Sequence, residues 1–267
     1  MLVDNLESLL WYFFICLLSM INVYRMIHTI KKKYVITRNS YACIIFTLVC
    51  AFRSFVPRVD AERLCFWDFG KFELISSPFV GRCFATIAEI VFSYQITDYW
   101  LSISNLLITS TWISSTSKTS WYLCCFAQLL CWCGVITTNN IYHAFENSLW
   151  GIAALLLSIS SAKILLYNNT ECNSTKCILM YYLASCLVFA MYIFIIDVPM
   201  YYTKWLNNVG GGIDLTFYDG FYDSLTCNVD KSFDLWMKEI PWMTGYFILG
   251  PVISIQLEKH TYSKKLY

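Results

Sequence analysis

RCFATIAEIVFSYQ, Arg82 to Gln95, decides how this sequence is read. The stretch sits inside a long apolar run, yet it carries an arginine, a glutamate and a glutamine. On a helix, Arg82, Thr86, Glu89 and Ser93 follow one another at intervals of four, three and four residues and form one stripe, while Phe84, Ile87, Val91 and Phe92 point elsewhere. A helix that starts at Pro78 and rises about 1.5 Å per residue puts Arg82 near one interface of a bilayer and Glu89 close to its midplane. A charge at that depth costs at least about 2.5 kcal/mol on insertion scales, so it faces a bundle interior or a water-filled cavity. The stripe therefore predicts a membrane bundle with a polar interior around Glu89.

Composition supports the same class. Hydrophobic residues make up 58% of the 267 residues and charged residues 14%, against about 45–50% and about 25% in soluble domains. The net charge of +1 comes with no clustered basic face, which excludes a nucleic-acid partner and leaves the lipid bilayer as the first one. The predicted fold is all-α, a single integral membrane domain over 1–267. With about 20 apolar residues needed per crossing, seven candidate spans run 9–27, 40–56, 78–96, 121–138, 148–167, 178–196 and 240–257. Outer loops cover 57–77 and 197–239, the second helical or irregular, with Phe217, Phe221, Leu225 and Trp236 expected inward. Tyr99 to Ser117, rich in Ser and Thr, extends the third helix, lies in the interface or forms an eighth span. Ser76-Ser77-Pro78 marks a helix start, a hydroxyl cap followed by proline at the first helical position. Gly250-Pro251 interrupts the last span.

Lysines set the orientation. Lys31, Lys32, Lys33, Lys118, Lys176, Lys259, Lys264 and Lys265 collect on one side of a seven-span layout, and carboxylates collect on the other. The positive-inside rule makes the lysine side cytosolic and the N-terminus outer or luminal, with the first span an uncleaved signal anchor. Against this stand Asn168-Asn169-Thr170 and Asn173-Ser174-Thr175, which match the glycosylation acceptor pattern on the side assigned to the cytosol. The lysines outweigh two short patterns. The final KKLY resembles a dilysine signal for retrieval to the endoplasmic reticulum.

Most cysteines lie in spans, where they act as small polarizable hydrophobes. Cys65 and Cys227 fall in the two outer loops and are the candidate disulfide. Asp219 and Asp223, and Asp230 and Asp234, lie four apart but do not match the EF-hand ligand pattern, so no metal site is assigned and the cofactor is left open. For Glu89, an ion pair with Arg82 is not expected, because the two lie about 10 Å apart along the helix axis. Arg53, Gln128 and Asn22 on other spans are the candidate partners. A second, outer-face cluster gathers Arg58, Asp60, Arg63 and Asp68 with His143, Glu146 and Asp197. Its arginines suit bidentate contact with an anionic headgroup or solute.

Three functions fit these features. A transporter or channel for a small ion would use the interior around Glu89. A membrane-embedded enzyme acting on a lipid at the outer leaflet would draw its acid or base from His143, Glu146 or Asp60. A complex subunit would need neither. Motifs of familiar seven-span families are missing: SYQITDYW lacks the receptor Asp/Glu-Arg-Tyr signature, no lysine lies inside the last span, and His28, His143 and His260 are not grouped.

Overall fold

The computed structural model describes residues 4–67, 70, 73–104, 110–167, 173–207 and 215–263. Helices dominate: α1 (Asp4–Lys31), α2 (Arg38–Phe55), α3 (Glu73–Ser76), α4 (Pro78–Ser104), α5 (Ser110–Thr137), α6 (Asn140–Tyr167), α7 (Asn173–Tyr192), α8 (Val198–Leu206), α9 (Phe217–Asp223), α10 (Phe233–Trp236), α11 (Ile240–Thr244) and α12 (Gly250–Ser263). Among the described residues, six helices are long and apolar enough to cross a membrane, as in a multi-pass membrane protein: Leu6–Lys31, Pro78–Ser102, Thr111–Thr137, Asn140–Leu166, Leu179–Leu206 and Ile240–Lys259. Their outward faces fit lipid. On α1, Leu10, Phe13, Leu17, Met20 and Tyr24 form an exposed stripe at helical spacing, apolar surface that an aqueous monomer rarely leaves open.

The expected count of seven spans is thus corrected to about six. The difference is 40–56, which is α2. Eighteen residues reach about 27 Å, with Arg38 and Asn39 at one end and Arg53 and Ser54 at the other, and most of the helix is buried. It starts on a capping box in which Thr37 Oγ1 accepts from Ser40 N and Ser40 Oγ accepts from Thr37 N. The doubtful stretch Tyr99 to Ser117 is divided. Its first part lengthens α4 to Ser104 and its last part begins α5 at Ser110, so it forms no span of its own.

The chain forms two compact units, Met1–Gln95 with Leu215–Tyr267, and Ile96–Asp214. In the first, α2 runs antiparallel to α1, with Ser19 Oγ donating to Ser54 Oγ at 2.6 Å. The last helix runs parallel to α1, since Trp11 Nε1 donates to Thr244 Oγ1 at 3.0 Å and Lys33 at the other end of α1 pairs with Glu258. Trp11, Ile15, Phe46, Phe66, Trp236 and Phe247 fill the core between them. The outer loops meet in a small sheet the sequence did not announce. Strand β1 (Arg58–Val59) pairs antiparallel with β2 (Leu64–Cys65), which pairs parallel with β3 (Asn228–Val229). Cys65 and Cys227 are disulfide-bonded beside that junction. Of the four residues expected inward from the outer loop, Trp236 is buried and Leu225 partly so, but Phe217 and Phe221 are exposed, a correction that follows from α9 being only seven residues long.

In the second unit, α5, α6 and α7 pack through small and hydroxylated residues. Ser120 Oγ donates to Ala153 O at 3.3 Å, Thr116 and Ser160 hydroxyls lie 2.8 Å apart, and Gly151 leaves room for Phe194, whose ring carbon would stand 2.6 Å from a Cβ there.

Two π-helical stretches share one cause. Ile193–Asp197 precedes Pro199, and Gly245–Leu249 precedes Pro251. Proline has no N–H for the carbonyl four residues back and clashes with it. The backbone widens just before each ring, with Val198 N–H donating to Ile193 O and Gly250 N–H to Gly245 O. A carbonyl within the second stretch is answered from another helix, as Asn22 Nδ2 donates to Ile248 O at 3.0 Å.

Candidate functional site

Arg53, Arg58, Asp60, Arg82 and Glu89 are buried charges on or beside the start of α4. Ser77 Oγ accepts from Val80 N at 3.3 Å and fixes where that helix begins. From there the stripe runs inward. Arg82 Nε donates to Thr86 Oγ1 at 3.2 Å and Arg82 Nη2 to Glu89 Oε2 at 2.9 Å, with both charged side chains about nine-tenths buried. This overturns the expectation that Arg82 stands too far from Glu89. Axial rise measures backbone separation, whereas an extended arginine and a glutamate on one face close much of about 10 Å between them. Of the partners proposed on other helices, Asn22 holds Ile248 O and Arg53 pairs with Asp60, while Gln128 is buried. Ser93, last in the stripe, donates to Ile90 O of its own helix at 3.0 Å.

Arg53 and Arg58 come from the end of α2 and from β1. Arg53 Nη2 donates to Asp60 Oδ2 at 3.3 Å, and its guanidinium lies 5.4 Å from the Phe247 ring centroid. Arg58 is 1% exposed. Its Nη1 donates to Ile75 O at 2.7 Å and to Ser77 O at 2.8 Å, and its guanidinium stacks 5.3 Å from the Phe52 centroid. Only a glycine fits beneath it: a Cβ on Gly81 would stand 2.4 Å from Arg58 Cδ, 2.7 Å from Nε and 2.8 Å from Asp60 Oδ1. Burial pushes the Arg58 guanidinium down to about 10, with Asp60 opposing that fall and Arg53 adding to it. Tyr246, on the π-helical stretch, lies within the field of Glu89, Arg53 and Arg82.

The cluster's electrostatics are lopsided. Three buried guanidiniums (Arg53, Arg58, Arg82) face two buried carboxylates (Asp60, Glu89). Arg53 Nε, Arg58 Nε, Arg58 Nη2 and the Tyr246 hydroxyl are buried without a hydrogen-bond partner, against one such acceptor in the cluster, Asp60 Oδ1. Buried donors of this kind carry a desolvation penalty until something accepts from them. An anion would answer both the charge and the donors.

Arg63, in a left-handed conformation at φ 53°, donates to Asp223 Oδ2 at 2.7 Å and to Asp60 O at 3.0 Å, within the first unit. His143, Glu146 and Asp197 belong to the second unit, where His143 Nδ1 lies 2.9 Å from Glu146 Oε2. Asp68, Asn168 to Thr170 and the terminal lysines lie outside the described residues. Gly81 and Tyr246 were missed from sequence. Their only sequence signal was position, a glycine one residue before Arg82 and a tyrosine five residues before Pro251. No protein-family model, no curated protein and no solved structure matches the chain.

Proposed function

We propose that this is a membrane transporter of a small anion, with Arg82 trading Glu89 for the solute. Glu89 takes up one proton as the anion replaces it on Arg82, so one proton and one negative charge enter the site together. Arg53 and Arg58 supply further donors, and Asp60 balances them. The observation that carries this reading is the excess of buried guanidinium over carboxylate, with donors left unanswered, inside a bundle of apolar helices. Two features support it. Tyr246 approaches the pair from a stretch of widened helix, and interrupted spans are a recurrent feature of transporter sites. A buried pair kept only for fastening would leave no surplus charge.

The test is uptake of radiolabelled inorganic phosphate and chloride by proteoliposomes under an imposed pH gradient. Wild-type protein should drive uptake that rises as the source side is acidified. Glu89→Gln should lose that pH dependence while keeping exchange, and Arg82→Gln should lose both. Uptake equal to that of empty liposomes overturns the reading. Wild-type flux from a folded Glu89→Gln protein, with the same pH profile, assigns Glu89 to packing alone.

A further inference from the structure

Cys131, near the end of α5, and His143 and Glu146, in the first turns of α6, are brought together by the two-residue connection Thr138–Asn139. Thr138 takes a left-handed conformation, φ 58°, and Asn139 Oδ1 accepts from Ile141 N at 3.0 Å to start α6. All three side chains are buried. A sulfur of Cys131, a ring nitrogen of His143 and a carboxylate oxygen of Glu146 all lie within 4.8 Å of one another.

The histidine is set up as a ligand. Glu146 Oε2 lies 2.9 Å from Nδ1, while Nε2 is buried with no hydrogen-bond partner. A carboxylate on Nδ1–H fixes the tautomer whose Nε2 carries the lone pair, the arrangement that orients metal-binding histidines. The ring approaches α5 through its Nε2 edge because residue 134 is glycine. A Cβ there would stand 2.7 Å from Nε2 and 2.9 Å from Cε1, and Cys131 is one helical turn before it. The ring of Tyr201 lies 5.2 Å from the imidazole.

We propose that Cys131 and His143, oriented by Glu146, bind a divalent metal ion of the zinc class. A thiolate and an imidazole select zinc-class ions over magnesium or calcium, which take oxygen ligands. Binding displaces the thiol proton of Cys131, leaving the thiolate on the metal. Tetrahedral sites with metal–ligand bonds of about 2.0–2.3 Å bring ligand atoms nearer than 4.8 Å, so side-chain rotation closes the set around the ion.

The experiment uses the full chain purified in detergent, stripped with chelator and titrated with Zn2+ against a competing dye, then with Co2+ in an absorption cell. The expected result is one ion per chain and a thiolate-to-cobalt band in the near ultraviolet. Cys131→Ser and His143→Gln should abolish that band, and Glu146→Gln should weaken binding about 10- to 100-fold. Cys133→Ser, two residues along, should leave both unchanged. Melting curves recorded without metal establish that each variant is folded, and Cys131→Ala replaces a serine variant that is not. Zn2+ should raise the wild-type melting temperature and not that of Cys131→Ser. Equal stoichiometry in wild type and in a folded Cys131 variant, or Co2+ binding without the sulfur band, overturns the proposal.

Discussion

Gly81→Ala tests the packing of the arginine cluster at one atom. An added methyl would fall 2.4 Å from Arg58 Cδ and 2.8 Å from Asp60 Oδ1, separations that real side chains do not hold. Arg58 cannot swing aside cheaply, because Nη1 is held by Ile75 O at 2.7 Å and Ser77 O at 2.8 Å and the residue is fully buried. Hydrogen bonds from a charged donor contribute about 1.5–3 kcal/mol each, so losing both costs about 3 kcal/mol at the low end. At roughly 2–4 °C per kcal/mol for a chain of this size, melting should fall by about 6–12 °C. Intrinsic tryptophan fluorescence in detergent reads the transition. In Arg58→Ala the methyl no longer meets the arginine and only Asp60 Oδ1, at 2.8 Å, still crowds it, so Gly81→Ala added to that background should cost clearly less than it does in the wild type. A single variant that melts within a degree of wild type, or a double variant whose loss is the sum of the two singles, refutes the reasoning.

Cleaving the Cys65–Cys227 disulfide, which spans 162 residues, should lower stability by up to about 5 kcal/mol on loop entropy; a reductant titration followed by a melt measures it, and no change in melting would show the link to be idle. Thr138→Gly should stabilise the α5–α6 turn by about 1 kcal/mol, because a β-branched residue at φ 58° is strained and glycine is not; a lower melting temperature would contradict this. Hydrogen bonds from Ser232 hold the Asp230 carboxyl below its ordinary value. A depressed carboxyl stabilises the fold above its unfolded pKa of about 3.9 and loses that contribution as pH falls through the folded value. Asp230→Asn should therefore flatten the acid limb of a stability-versus-pH curve below about pH 4 and nowhere else.

How much of this was legible in sequence differs by scale. The Arg82–Thr86–Glu89 stripe was readable because a helical face is a matter of spacing alone, and the structure puts those side chains in one hydrogen-bonded row. The pairing within the row was not, since it depends on how far two side chains reach and not on the rise between their backbones. Length and apolarity found the spans, but 40–56 shows their limit: α2 looks like a crossing when its middle is read, and its polar ends make it the short buried helix beside α1. Gly250-Pro251 announced a break, whereas Val198-Pro199 went unread and causes the same widening. The cysteine, histidine and glutamate of the second unit stand across a turn only two residues long, and spacing rules built for ligands on one element overlook such a set.

The central claim, that the buried arginines of the first unit are built for an anion, is tested most directly by equilibrium binding of inorganic phosphate to the full chain in lipid nanodiscs. The account predicts saturable binding that competes with sulfate and falls steeply for Arg58→Lys and Arg82→Gln in folded protein. Phosphate binding that is absent, or unaltered by both substitutions, would contradict it.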